Sequence, residues 1–273
     1  MDAFITHVLT DIHGRRDLLQ SLVEAAVRQA DSDGRTPRFV LLGDLVDRGP
    51  HSRAVLDLVC WLLRTFPASR LVLGNHDAWF IEAVEKGEHG YAEFPRWYRN
   101  GGYQTLMSYA RGGDDLEDAI QRIRAEHADH LELLRNAELF LDEEPFVLVH
   151  AGIRPGVRLA AQSAEDFTTI GVEFLEHEGP LPRPVVHGHT VQKGLRPFVT
   201  ENRIALDTGA YRSGVLTMMT IDALEGTLAF RATDPADRSV GEVQPIVEPR
   251  GGHPAVTALL PSLFAGRAAL PVL

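Results

Sequence analysis

The run Phe4-Ile5-Thr6-His7-Val8-Leu9, followed at once by Thr10-Asp11-Ile12-His13-Gly14, decides the fold. Six residues rich in β-branched and apolar side chains are too few for a stable helix and fit a buried strand. That strand ends in a carboxylate, an imidazole and a glycine. The pattern recurs down the chain. Run 39–42 leads into Gly43-Asp44-Leu45-Val46-Asp47-Arg48-Gly49, and run 71–73 into Gly74-Asn75-His76-Asp77. Run 146–149 ends in His150-Ala151-Gly152, run 185–186 in His187-Gly188-His189-Thr190, and run 204–206 in Asp207-Thr208-Gly209. Segments 17–30, 52–65 and 77–86 carry apolar residues every three or four positions and read as helices. Strands alternating with helices imply a layered α/β domain.

Open α/β sheets bind ligands at the carboxyl ends of their strands, so these polar groups should converge on one edge. Asp11 and His13, two residues apart, point the same way if the chain is extended there. The converging set of aspartate, asparagine and histidine contains no thiolate. It suits manganese, iron or zinc in an open site rather than a closed structural zinc site. Six ligands exceed the need of one tetrahedral ion; two ions sharing a carboxylate would use them, and Asp44 is the best-placed residue to be shared. Two ions about 3.5–4 Å apart can clamp a phosphoryl group.

Composition narrows the field. Among 273 residues, 27 Lys and Arg stand against 38 Asp and Glu, a net charge of −11. Such a chain lacks the cationic surface for general binding to nucleic acid or anionic membranes. The single cysteine, Cys60, excludes an internal disulfide framework and is expected in the core. With no basic leader and no apolar run of about 18 residues, a cytoplasmic location is expected. The expected organisation is one catalytic domain over 1–231, a helical cap inserted at 87–141, a closing hairpin of 215–220 with 227–231, and an irregular Pro/Gly-rich extension over 232–273.

The ordered motifs resemble the calcineurin-like metallophosphoesterase superfamily, and within it the phosphoprotein phosphatase branch, most closely bacterial serine/threonine protein phosphatases. The resemblance spans roughly residues 4–220 and implies a four-layer α/β/β/α sandwich with a helical cap. It implies that Asp11 and His13 bind a first metal, that Asp44 bridges, and that Asn75, His150 and His189 bind a second. It also implies that His76 is the general acid, that Asp47 orients and charges it, and that Arg48 holds phosphate oxygens. Two divalent ions, manganese foremost with iron or zinc possible, are the implied cofactors. A phosphorylated protein or small phosphoester is the implied substrate.

Val191 occupies the position at which nuclease-like branches carry a second Gly-His-x-His histidine, and the Asp47-Arg48 pair also points to the phosphatase branch. Three departures matter. Thr10 replaces the usual glycine. Asp77 replaces glutamate, as in symmetrical diadenosine tetraphosphate hydrolases, whereas Asp47 is atypical of those enzymes. Gly171 falls where a second phosphate-binding arginine is expected, which leaves Arg99, Arg154 and Arg212 as substitutes and Arg99 and Asn100 as cap residues facing substrate. The reading is therefore phosphomonoester hydrolysis, with a symmetrical diadenosine tetraphosphate hydrolase as the rival enzyme and a metal-binding pseudophosphatase as the non-catalytic rival. His187 is expected to be structural, and Asp207 either a turn residue or a hydrogen-bond acceptor behind the ligands.

Overall fold

Twelve strands are built within residues 4–248, the part of the chain that the computed structural model describes: β1 (Phe4–Leu9), β2 (Thr36–Leu41), β3 (Arg70–Leu71), β4 (Phe140–Glu143), β5 (Phe146–Val149), β6 (Val185–His187), β7 (Phe198–Val199), β8 (Arg203–Ala205), β9 (Thr217–Asp222), β10 (Thr227–Thr233), β11 (Val240–Glu242) and β12 (Ile246–Val247). They form two six-stranded sheets, in the orders β11-β10-β9-β1-β2-β3 and β12-β7-β8-β6-β5-β4. Helices α1 (Arg16–Ser32) and α2 (Ser52–Thr65) follow β1 and β2, which pair in parallel.

Side-chain alternation along each strand assigns the layers. Val8, Val40, Leu42 and Val72 of the first sheet pack with Phe146, Leu148, Val186 and Ile204 of the second in one buried cluster. Their neighbours Leu9, Phe39 and Leu41 turn the other way, onto Leu18, Leu22, Val55 and Val59 of α1 and α2. On the far side Val147, Val149 and Val185 pack against Phe167 and Phe174, which lie on short helices. The result is the helix–sheet–sheet–helix sandwich.

Between β3 and β4 the chain is helical. Helix α3 (Asn75–Gly90) breaks at Gly87, where φ is +69°, and helices continue through Phe94–Trp97, a π-turn at Tyr98–Gly102, Tyr103–Tyr109, Leu116–Glu126 and Ala128–Arg135. The helical segment thus ends at Arg135, short of 141, because Phe140 and Leu141 pair with Val149 and Leu148 as strand β4. The irregular extension expected from 232 is also corrected for its described part, 232–248. Strand β10 runs to Thr233, β11 pairs with it antiparallel, and β12 joins β7 at the edge of the other sheet. Both are short edge strands, and Pro245 directly before β12 sits where a missing N–H is tolerated. The apolar residues 259–270 lie outside the described residues. Cys60, expected in the core, is only half-buried on α2.

His7 on β1 is buried, its Nδ1 3.1 Å from Thr220 Oγ1 and its ring against Phe39. Burial, followed by the charges of Arg231 and Arg35, lowers its pKa to about 4. Between that value and the ordinary 6.5, the unfolded chain binds the extra proton and the folded chain does not. Stability from this residue is therefore fully present above 6.5 and falls as pH drops toward 4, by about 3 kcal/mol in all. Urea denaturation at stepped pH should show a shallower acid-side loss for His7→Gln than for the natural chain; parallel slopes would remove His7 as the cause.

Candidate metal centre

The strand-end loops are held in unusual backbone conformations. Six of the eight non-glycine residues with left-handed φ among the described residues are Asp11, His13, Asp44, Asp47, Arg48 and His189. Such conformations cost about 1–3 kcal/mol each and persist only where the surroundings enforce them. The enforcement is visible. Asp11, His13 and Gly14 donate their amides to the carbonyls of Gly43, Asp44 and Leu45, lacing the first loop to the second. Asp77 accepts from the amides of Asp44 (2.8 Å), Leu45 (2.9 Å) and Gly74 (3.2 Å), lacing the second to the third. A Cβ on Gly188 would overlap the Asp11 carboxylate, so only glycine admits that approach.

These constraints aim the donor atoms. His13 Nδ1 donates to the Val46 carbonyl at 2.7 Å and His150 Nδ1 to the Leu42 carbonyl at 2.7 Å. A carbonyl only accepts, so each Nδ1 carries the proton and each Nε2 lone pair faces inward. His13 Nε2 lies 3.5 Å from Asp44 Oδ2 and 4.0 Å from Asp11 Oδ1, and His150 Nε2 lies 3.5 Å from Asp44 Oδ1 and 3.1 Å from Asn75 Oδ1. Ligand atoms of Asp44, His150 and His189 lie within 4.8 Å of one another. Asp11 Oδ2 accepts from Thr10 Oγ1 (2.6 Å) and the His189 amide (2.9 Å), while its Oδ1 is buried with no partner. Thr10, unusual at its position, thus orients the Asp11 carboxylate.

His76 is held differently. Its Nδ1 is 2.8 Å from Asp47 Oδ2, and its Nε2 faces Arg48 Nη2 at 3.0 Å, while Arg48 Nη1 lies 2.8 Å from His13 Nε2. Asp47 is fully enclosed by the cap: Trp97 Nε1 and Thr105 Oγ1 donate to its two oxygens at 2.9 and 2.6 Å, and Arg48 donates its amide to the Gly101 carbonyl at 3.3 Å. Burial alone would lower the His76 pKa, but the Asp44 charge and the Asp47 bond outweigh it and raise it. Burial pushes Asp47 upward in spite of the His76 bond.

The electrostatics fit divalent cations. Burial lowers His13 to about 3 and His189 to about 4, and lowers His150, so these imidazoles stay neutral with free lone pairs. Burial opposes the Asp44 charge, but attraction to the protonated forms of His150, His76, His13 and His189 lowers its pKa, and of these four His76, with its raised pKa, supplies the charge near neutral pH. Burial and neighbouring carboxylates raise Asp11 well above the usual range, Asp77 to about 7 and Asp207 to about 6. Buried carboxylates in excess of cations, beside inward lone pairs and the orphaned Asp11 Oδ1, make a cradle that positive ions complete.

The remaining expected residues scatter. His187 is buried, with Nδ1 on the Gly188 carbonyl and Nε2 facing Arg203, away from the ligand set. Asp207 accepts from the Gly209 amide and keeps Oδ2 buried and unpartnered. Arg154 is engaged by Asp166 and Glu173. Asn100 donates to the Arg96 carbonyl, and Arg99 is exposed beside it on the π-turn. Arg212 lies over the Tyr211 ring, which in turn meets Arg48 at 4.9 Å and His13 at 5.6 Å. Tyr211 and Trp79, whose ring is 4.8 Å from His76, flank the site and escape sequence reasoning; helical spacing explains Trp79, and Tyr211 follows a turn with no motif of its own.

The fold and this constellation define a class, and comparison confirms it. Residues 6–201 match the calcineurin-like phosphoesterase family, and the chain belongs to that family. It is 35% identical over 151 residues to the symmetrical bis(5'-nucleosyl)-tetraphosphatase of Dechloromonas aromatica (strain RCB), covering 55% of this chain and 44% of that protein. It is 28% identical over 232 residues to serine/threonine-protein phosphatase 2 of Escherichia coli (strain K12), covering 78% and 91%. The chain spans about half the length of the symmetrical tetraphosphatases it matches. Its fold is shared with a cold-active protein-tyrosine phosphatase of Shewanella, with a TM-score of 0.50, 17% identity, and coverage of 89% and 83%. No helix among the described residues is long and apolar enough to cross a membrane.

Proposed function

We propose that the protein hydrolyses phosphomonoesters, with phosphoseryl or phosphothreonyl peptides as the substrate class and two divalent ions, manganese foremost, as cofactors. Asp11 and His13 would hold one ion, Asn75, His150 and His189 the other, and Asp44 would be shared. When bound, such ions supply a hydroxide near neutral pH and a positive clamp on phosphoryl oxygens. The observation that carries the reading is the Asp47–His76–Arg48 alignment. Asp47 holds the Nδ1 side of His76, which leaves Nε2 to give a proton to the departing oxygen. Arg48, whose two terminal nitrogens lie against the Nε2 atoms of His13 and His76, would transfer its planar fork to the equatorial oxygens and so free His76 Nε2 to carry its proton. Trp97 and Thr105 keep Asp47 in place.

A dinucleotide substrate is the second reading, favoured by the 35% identity to a symmetrical tetraphosphatase. Asp77 lends it no support, since both of its oxygens accept backbone amides of the second and third loops. Turnover of a phosphothreonyl peptide and of diadenosine tetraphosphate, each with manganese and with EDTA, tests both. Metal-dependent turnover that EDTA abolishes, at least tenfold greater in kcat/KM for the peptide, is expected. The reverse ranking selects the dinucleotide, and no turnover of either by metal-loaded protein leaves a phosphate-binding module without catalysis.

A further inference from the structure

Between α2 and the helix Ala128–Arg135, which pack together, two residue pairs spaced three apart face each other. Asp57 and Cys60 come from α2, and His127 and His130 from the start of helix Ala128–Arg135. Residues three apart on a helix share a face. Ligand atoms of Asp57, His127 and His130 all lie within 4.8 Å of one another, and so do those of Cys60, Asp129 and His130. The imidazoles of His127 and His130 are stacked with centroids 5.1 Å apart.

We propose that Asp57, His127 and His130 bind one zinc-class divalent ion, separate from the catalytic centre, with water in the fourth place. His130 Nε2 lies 3.2 Å from Asp57 Oδ1. That is already the ligand-to-ligand edge of about 3.3 Å which bonds of about 2.0–2.1 Å impose on a tetrahedral ion. His130 is buried, and its Nδ1 meets the hydroxyl of the equally buried Tyr109 at 2.8 Å. A phenol hydroxyl both donates and accepts. His130 can therefore bind the ion as its Nδ1–H tautomer, with the single ring proton donated to Tyr109 and the Nε2 lone pair turned to the ion, which fixes the ring as buried partners of metal-bound histidines do. Burial, the largest influence on His130, keeps the imidazole neutral, the form that ligates. The Asp57 side chain is 54% exposed and His127 half-buried, so the ion enters from solvent and only these two side chains adjust. The donor set of two nitrogens and one carboxylate favours zinc or cobalt over magnesium or calcium. Bound there, the ion would staple the last helix of the insertion to α2 of the catalytic body.

The test is metal counting on the full chain. Natural protein and the double variant Asp57→Ala/His127→Ala are equilibrated with zinc, and separately with cobalt(II), then freed of excess by gel filtration. The natural chain is expected to retain one equivalent more than the variant, whatever the catalytic centre retains, and zinc is expected to raise its Tm further than it raises that of the variant. Phosphomonoester turnover should be the same in both. Equal metal content overturns the proposal and leaves Tyr109–His130–Asp57 as a hydrogen-bond chain. Should the double variant fail to fold, Asp57→Asn on the exposed carboxylate carries the same test, with at least tenfold weaker retention expected and undiminished retention overturning it.

Discussion

His76→Asn is expected to lower kcat by at least about a hundredfold on a phosphomonoester with a poor leaving group, with bound metal unchanged. Asparagine fits the space and can still bond Asp47, but it cannot deliver a proton to an alkoxide. A ligand atom of His76 lies within 4.8 Å of ligand atoms of His13 and Asp44, so the unchanged metal content is itself part of the prediction, and metal analysis checks it. The loss should shrink on p-nitrophenyl phosphate, whose phenolate departs without a proton. A steady-state series of aryl and alkyl phosphates measures this directly. An equal fall across the series would mean that His76 positions the phosphoryl group rather than protonating the leaving oxygen.

Asp44→Asn should produce the other large effect. Loss of a mere hydrogen-bond partner of a metal ligand costs about 10–100-fold. Loss of the one carboxylate facing both His13 and His150 should exceed about a hundredfold in activity and empty the centre of metal. Without metal, the Asp44 charge repels Asp11, Asp77 and Asp207, but the fold as a whole favours it, since its pKa is lowered against burial by the surrounding histidines. An asparagine still accepts from the His76 amide, the 2.9 Å bond that Asp44 now receives, but gives up that net attraction. The metal-free variant should therefore melt a few degrees below the metal-free natural protein, on the order of 1 kcal/mol. Metal analysis and calorimetry in EDTA check both; a higher Tm would show that repulsion among the carboxylates outweighs the attraction of the histidines.

The strand-end motifs are legible in the sequence because each couples a short apolar run to a polar turn, a local signal that the sheets then bring together in space. Strands β1 and β5 are readable for the same reason, with Phe4–Leu9 and Phe146–Val149 matching the apolar runs residue for residue. Strands β7, β11 and β12 are not readable. Each has two or three residues and exists only because an edge is waiting for it. The same holds for the groups that support the site. Nothing adjacent to Thr105 or Trp97 says that they grip Asp47, 58 and 50 residues away in sequence. Asp77 is a case in which a motif residue is visible but its job is not. Its spacing marks it as part of the third loop, and only the fold shows that its carboxylate binds backbone rather than substrate.

The bonds from Trp97 and Thr105 to Asp47, and from Arg48 to the Gly101 carbonyl, give the helical insertion a status that the word cap understates. A door can swing aside and leave the room intact. This segment cannot, because lifting it would take from Asp47 the donors that hold it beside His76 and from the Arg48 amide its acceptor. Changes of substrate preference can accumulate on the outward residues of the π-turn, such as Arg99 and Asn100, while the inward ones stay tied to the chemistry.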